Sequence, residues 1–503
     1  MPKRPATFDL AAIELDRTHR SSMYQQLYGA LRSAILTRRL KPGTRVPSTR
    51  TLCNDLGVSR NTVTASFDHL IAEGYLESHV GDGTYVSSRL PDELLTVQRA
   101  VHANARRPSA QHAPELSARY RTMQAMPGGG PDSEAIRPFR TGIPALDMFP
   151  IETWTRLTAR RWRNVTTNLL SYESSPGFAP LREAISEYLG SARGVNCVPE
   201  QVFITSGSQD ALALATNLLL NPGDEAWIED PAYRGGRLAL VNAGVKVVPV
   251  PVDAHGLNVA EGVRRAPRAR MVYVTPSYQY PCGVTMPLSR RLELLNWAQQ
   301  ANAWILEDDY NSEYRFSGRP LSSLQGLDTG DRVLYIGTFS KVLFPSLRIG
   351  YLIVPPGLTE SFARAMHMMF HYSPLVDQAV LCDFIADGHF ARHVRRMRSL
   401  YAERRAAIEA ALQDEFGGAL SVDCAAAGMH VMASLAAGSI ARDTAISAAA
   451  ARRGLQVHAL STYAMERLPR GGLVMGYGAY SPRELRAGVR GLRAAVEEAG
   501  IKI

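Results

Sequence analysis

The chain has 503 residues, 46% of them hydrophobic and 20% charged, the balance of a globular protein of about two or three domains whose cores need neither metals nor disulfides. Its formal net charge is +9, and the first fifty residues hold ten Lys and Arg against three Asp and Glu, so the excess gathers at one end and points to nucleic acid or to a solvated basic face. Cys53, Cys197, Cys282, Cys382 and Cys424 form no C-x-x-C pair, which argues against a zinc cluster or a disulfide framework, suits a reducing cytoplasm and leaves no metal expected.

The most apolar helical run, 211–220, is too short for a bilayer and is broken by Asn217, while the N-terminus lacks the apolar stretch of a secretory signal. A cytoplasmic protein without a membrane partner is expected. Composition divides the chain into a compact basic unit over 1–89, a linker over 90–138 with a short helix near 93–103, and a long region over 139–503.

In the first unit, Tyr24, Leu27, Tyr28, Leu31 and Ile35 recur on one helical face. Pro42-Gly43 breaks the chain, and Ser48 can cap a helix over 49–56. Gly57-Val58 turns it, and Ser59 can cap a third helix with Val63, Phe67, Leu70 and Ile71 buried. The pattern predicts a helix–turn–helix that presents Arg60, Asn61, Thr62 and Thr64 to a major groove. Strands on either side of Gly81-Asp82-Gly83 predict a hairpin wing. Any one of Arg45, Arg50 and Arg60 reads equally well as solvated surface, but three clustered together favour phosphate.

Three motifs in order, 42–50, 58–63 and 81–86, resemble the GntR family of bacterial transcription regulators. The resemblance implies double-stranded DNA as partner, an operator upstream of its own or a neighbouring gene. It implies that Arg45, Ser48, Arg50, Ser59, Arg60 and Thr62 contact DNA, mainly its backbone, with Gly83 in the wing. Asn61 and Thr64 join them from the exposed first turn. The wing departs from the family in having His79-Val80 where a basic residue often precedes the first glycine, and in adding Asp82.

Beyond 139, buried runs over 202–205, 271–274, 304–306 and 333–336 alternate with helical patterns, which predicts an α/β sheet of parallel character. After about 366 the pattern turns mainly helical, a smaller C-terminal α+β subdomain. Lys341 follows the last run between apolar stretches and hydroxyls, with Arg348 seven residues on. A lysine so held can lose its proton and form a Schiff base, and the arginine can neutralise a phosphate. Glu307-Asp308-Asp309-Tyr310 closes another strand, where a carboxylate can keep a pyridine nitrogen protonated. Ser206-Gly207-Ser208-Gln209 joins a strand to a helix N-terminus suited to phosphate, and Tyr233 ends a further strand, placed to stack on a ring. Taken singly, each has a plainer reading as surface lysine, loop cap or ordinary turn.

Together with 142–147, 307–314, 337–341 and 393–398, these segments resemble the fold-type I aminotransferases that depend on pyridoxal phosphate. Joined to the winged helix, they resemble the MocR/GabR-type regulators over nearly the whole chain. The resemblance implies pyridoxal 5'-phosphate on Lys341, with Asp308 rather than Asp309 at the ring nitrogen and Tyr310 at the ring hydroxyl. Tyr233 would stack on the ring, and Gly207, Ser208, Gln209, Thr338 and Arg348 would hold the phosphate. Tyr172 would reach the partner's phosphate, hence a homodimer. Asn311 and Tyr278 stand where the family usually has Asp and His. The strand over 473–478 carries no arginine for a substrate carboxylate, and nearby Arg470 reads first as a surface residue. The expected function is a regulator that senses an amino compound or pyridoxal phosphate itself, with at most a residual aminotransferase half-reaction. The alternative is an aminotransferase with an accessory DNA-binding module.

Overall fold

The computed structural model describes residues 15–16, 21–79, 81–88, 90, 116–126, 136–171, 176–316, 322–369, 374–422, 427–435 and 442–500. The chain forms two compact units, 1–115 and 116–503.

In the first unit, each of the three described helices starts on a serine. Ser22 and Gln25 form a capping box on α1 (Met23–Leu36), Ser48 accepts from the Thr51 N–H of α2 (Thr49–Leu56), and Ser59 accepts from the Thr62 N–H of α3 (Arg60–Ala72). Gly57 ends α2 in the left-handed region, at φ 60°, which turns the chain into α3. The predicted apolar stripe is the core: Leu27, Leu31, Ile35, Leu52, Val63, Phe67 and Leu70 are buried. Strands β1 (Leu76–His79) and β2 (Gly83–Val86) pair antiparallel as the wing. The loop before α2 is tied to β2, with Gly43 N donating to Val86 O, Val86 N to Thr44 O and Val46 N to Thr84 O.

The second unit is built on eight strands: β3 (Val202–Thr205), β4 (Glu225–Asp230), β5 (Lys246–Asp253), β6 (Gly256–Leu257), β7 (Met271–Val274), β8 (Trp304–Asp309), β9 (Val333–Thr338) and β10 (Gly350–Ile353). Their order is β3-β10-β9-β8-β7-β4-β5-β6. The block from β9 to β5 is parallel, and β10 runs antiparallel to both its neighbours. The sheet is therefore mixed, with its parallel part at the centre. Those central strands are buried throughout or nearly so, as strands covered on both faces must be.

A smaller antiparallel sheet follows: β11 (Leu420–Val422), β12 (His430–Leu435), β13 (His458–Ala459) and β14 (Gly472–Gly476), in the order β11-β12-β14-β13. It is packed by the helices His389–Phe416, Asp443–Arg452 and Pro482–Glu498. It also recruits the segment that opens the long region: Phe139 O accepts from Gly476 N, and the fully buried Phe139 ring fits beside Gly488, where a Cβ would come within 2.7 Å of it. Within the stretch read as linker, Ala118–Gln124 is a helix attached to the second unit, its Arg119 donating to Asn242 O at 2.6 Å. The helix expected near 93–103 lies outside the described residues.

Candidate DNA-binding face and cofactor cavity

On the first unit, Arg45, Ser48, Arg50, Ser59, Arg60, Asn61 and Thr64 are exposed, and Thr62 is half-buried. The Ser48 and Ser59 side chains are already engaged as caps, with Oγ 2.8 Å from Thr51 Oγ1 and 2.9 Å from Thr62 Oγ1. Their contribution at a phosphate would be shared with the helix ends they hold. Gly83 adopts φ 127°, and a Cβ there would lie 2.7 Å from Arg45 Nε. The wing glycine thus makes room for the guanidinium of the preceding loop. Asp82, the acidic departure in the wing, accepts a hydrogen bond from Tyr85 OH at 2.9 Å.

In the second unit, the predicted residues come from the carboxyl ends of β3, β4, β8 and β9. Gly207, Ser208, Gln209, Tyr233, Asp308, Tyr310, Thr338, Lys341 and Arg348 line one cavity of about 330 Å³. Tyr172 lies outside the described residues.

Side-chain alternation along β8 separates the two aspartates. Asp309 turns to Arg193, accepting from its Nε at 2.9 Å, and to Tyr335 OH at 2.6 Å. Asp308 turns to the cavity, where Tyr273 OH donates to its Oδ2 at 2.7 Å. Asp308 Oδ1 is buried and has no partner among the described residues. Burial pushes this carboxyl up to about 7, against the opposing pull of the Tyr273 hydrogen bond.

Lys341 is half-buried, and its Nζ donates to Gly142 O at 3.0 Å. Gly142 sits at φ 75°, and a Cβ there would come within 2.7 Å of Nζ. Gly207, at φ 101°, precedes the helix Ser208–Leu219, and a Cβ on it would lie 3.8 Å from Arg348 Cζ. Arg348 itself is held in the left-handed region at φ 51°, a conformation that bulky side chains rarely adopt. Tyr310 OH donates to Tyr278 O at 2.9 Å, so its oxygen remains an acceptor. Tyr233 OH accepts from Gln209 Nε2 at 3.4 Å, over a bare Gly235 where a Cβ would collide with both side chains.

An unpaired buried acceptor, a half-buried amine and a helix N-terminus beside an arginine suit a protonated ring nitrogen, an aldehyde and a phosphate. The donor set therefore fits pyridoxal phosphate. The cavity wall also holds Asn311, noted above as a departure from the family, and Thr141, Gly142, Tyr273, Tyr280 and His430, which the sequence reading did not single out as site residues. Gly142 stood inside a segment used for the family resemblance; Tyr273 and His430 lie in strands with no local sign of a site. Tyr278 points away, donating to His430 O at 2.8 Å. Arg470 lines a separate cavity of about 470 Å³. Among the described residues, no group of His, Cys, Asp and Glu is placed to hold a metal, and no helix is long and apolar enough to cross a membrane.

A capped winged helix on one unit and an aminotransferase-type sheet with this cavity on the other define a DNA-binding transcription regulator with an aminotransferase-like domain. Residues 23–86 match the bacterial regulatory proteins of the gntR family, and residues 140–469 match aminotransferase class I and II. The chain is 42% identical to the probable rhizopine catabolism regulatory protein MocR of Rhizobium meliloti, covering 96% of this chain and 95% of that one. It is 32% identical to the uncharacterized HTH-type transcriptional regulator YhdI of Bacillus subtilis (strain 168), over 96% and 97% of the two chains. Among solved structures, it is similar to the α-aminoadipate aminotransferase LysN of Thermus thermophilus, complexed with N-(5'-phosphopyridoxyl)-L-leucine. That match has a TM-score of 0.66 at 27% identity, covering 76% of this chain and 95% of that one. The chain belongs to the MocR-type regulators of the GntR family.

Proposed function

We propose that the second unit holds pyridoxal phosphate on Lys341 and reports an amino compound, or the cofactor itself, to the winged helix. The observation that carries this reading is Asp308 Oδ1, buried without a partner in the same cavity as Lys341 and Arg348. When bound, pyridoxal phosphate supplies an aldehyde that condenses with amines and a ring that withdraws electrons. The chain's own residues bind and orient it. Asp308 accepts from the ring nitrogen at Oδ1 while Tyr273 fixes Oδ2. Ser208 and Gln209 N–H groups, Thr338 and Arg348 hold the phosphate beside Gly207. Tyr233 covers one ring face, and Tyr310 lies at the ring hydroxyl. The Gly142 carbonyl holds the lysine amine in the cavity.

Arg45, Ser48, Arg50, Ser59, Arg60, Asn61, Thr62, Thr64 and Gly83 form the DNA contact set, chiefly to phosphates, at an operator upstream of its own or a neighbouring gene. By the family resemblance Tyr172 would reach the site of a second copy, which would make the working unit a homodimer in the cytoplasm. A ligand shifts DNA binding only through different affinity for the two states of the protein. The intact lysine, aspartate and arginine also support a second reading, an aminotransferase with an accessory DNA module.

The test is binding to the DNA upstream of the gene by cofactor-free protein, cofactor-loaded protein and Lys341→Ala. A change of affinity or footprint on loading, absent in the variant, is expected. Unchanged binding together with steady turnover of amine and keto acid would favour the second reading.

A further inference from the structure

The two matched regions, 23–86 and 140–469, are joined by a stretch that includes the Ala118–Gln124 helix. That helix packs on another, Arg234–Asn242, which starts at the cofactor cavity. Tyr233, a residue of the cavity wall, is its N-cap, and its first turn carries Gly235 and Gly236. A Cβ on Gly235 would collide with Gln209 and Tyr233, and one on Gly236 would lie 2.5 Å from the ring of Tyr273, the donor to Asp308. The first turn therefore rests directly on three residues of the wall. Nine residues at a rise of 1.5 Å carry the helix about 13 Å onward from there.

Its two ends are held unequally. Among the described residues no side chain caps the start at Tyr233, and the first helical bond, from Arg237 N to Tyr233 O, is 3.3 Å long. Glycine is a poor helix former, and two stand in that turn. The far end is firmer. Ala243 N donates to Ala239 O at 3.0 Å, and Arg119 Nη1 donates to Asn242 O at 2.6 Å. Carbonyls of a last turn have no partner within their own helix, and a cation there meets the negative end of the helix dipole.

The attachment on the other side is light. The Ala118–Gln124 helix buries none of its own residues, and Met126, just after it, is buried. A segment with so little buried surface opens at small cost, so a modest change in the helix beneath it suffices to shift it.

We propose that the Arg234–Asn242 helix is a relay. A ring stacked on Tyr233 firms its first turn, and the firmed helix holds the Ala118–Gln124 helix through Arg119, on the stretch of chain that leads to the winged helix. Stacking is made only with the firm turn, which supplies the difference in affinity that a shift requires. The proposal rests on the reading that pyridoxal phosphate fills the cavity and that its binding is reported to the DNA. The full-length protein is compared with and without the cofactor, as wild type, Arg119→Lys, Arg119→Ala and Arg119→Glu. Amide hydrogen exchange, cofactor absorbance and affinity for the upstream DNA are read. In the wild type, loading should slow exchange about tenfold or more over 235–238 and over 118–126. In Arg119→Ala the slowing should persist over 235–238 and vanish over 118–126, with absorbance unchanged. The response of DNA affinity to loading should fall at least about fivefold. Arg119→Lys should keep part of the response and Arg119→Glu the least, the order that charge at a helix end dictates. An intact DNA response in Arg119→Ala overturns the proposal alone. So does exchange over 118–126 that ignores the cofactor while DNA binding responds to it. Wild-type DNA affinity that ignores bound cofactor overturns the reading that the cofactor is reported, and the relay with it. Arg119 is exposed, and the exchange comparison on the wild type stands even if a variant does not fold.

Discussion

In the first unit, Arg45, Arg50, Arg60 and Asn61 are exposed on helices and loops whose apolar faces make the core. In the second, Asp308, Asn311 and His430 are buried, and the groups beside them come from segments hundreds of residues apart, from Thr141 to His430. Apart from Ser48 and Ser59, whose hydroxyls also cap helices, the first arrangement keeps frame and proposed function on different atoms of the same short segment. The second uses the same buried atoms for both. Substitutions should accordingly separate stability from binding in the first unit and entangle them in the second.

Lys341→Ala gives the largest effect expected. It should abolish the visible absorbance of bound cofactor while DNA binding by cofactor-free protein persists, measured on one preparation. Loss of both would erase the contrast between the units.

Asp308→Asn tests entanglement. In cofactor-free protein the Asp308 carboxyl is raised from its ordinary range to about 7, so the folded chain holds its proton where the unfolded chain has lost it. Its contribution to stability is therefore full below pH 4 and falls as pH rises towards 7. The amide has no such titration yet can still accept from Tyr273. Thermal or urea unfolding across pH 4 to 8 should show the variant gaining on the wild type in that window, by up to about 4 kcal/mol. A constant difference with pH would remove the buried charge from the account.

Arg60→Ala sharpens the other side. Affinity for the operator should fall, and the slope of its logarithm against log salt should shrink by about 1, with unfolding unchanged. Ser59→Ala is the smallest. Loss of the α3 cap should cost about 1 kcal/mol of stability in the first unit, read by urea unfolding. A loss of DNA affinity beyond that cost would show Ser59 touching phosphate as well as capping.

The contrast also explains what could be read from sequence. Caps, stripe and wing are local patterns, so Ser48, Ser59 and Gly83 declare themselves within a few residues. The cavity's strand-end residues were legible through strand periodicity and the Lys341–Arg348 spacing, and the register of β8 turns Asp308 to the cavity and Asp309 to Arg193. Tyr280 and His430 were not, because what brings them to the wall is the approach of β12 to the loop after β7. The antiparallel placement of β10 and the return of Phe139 to the small sheet are likewise long-range choices with no short-range sign.

The hydrogen bonds from 43–46 to β2, and the guanidinium of Arg45 over the bare Gly83, join loop and wing into one piece. Here a wing transplanted alone would arrive without the strand-like edge it leans on, and a side chain at its glycine would displace a cation almost forty positions upstream. The smallest transferable cassette therefore runs from Pro42 to Val86, with both helices between.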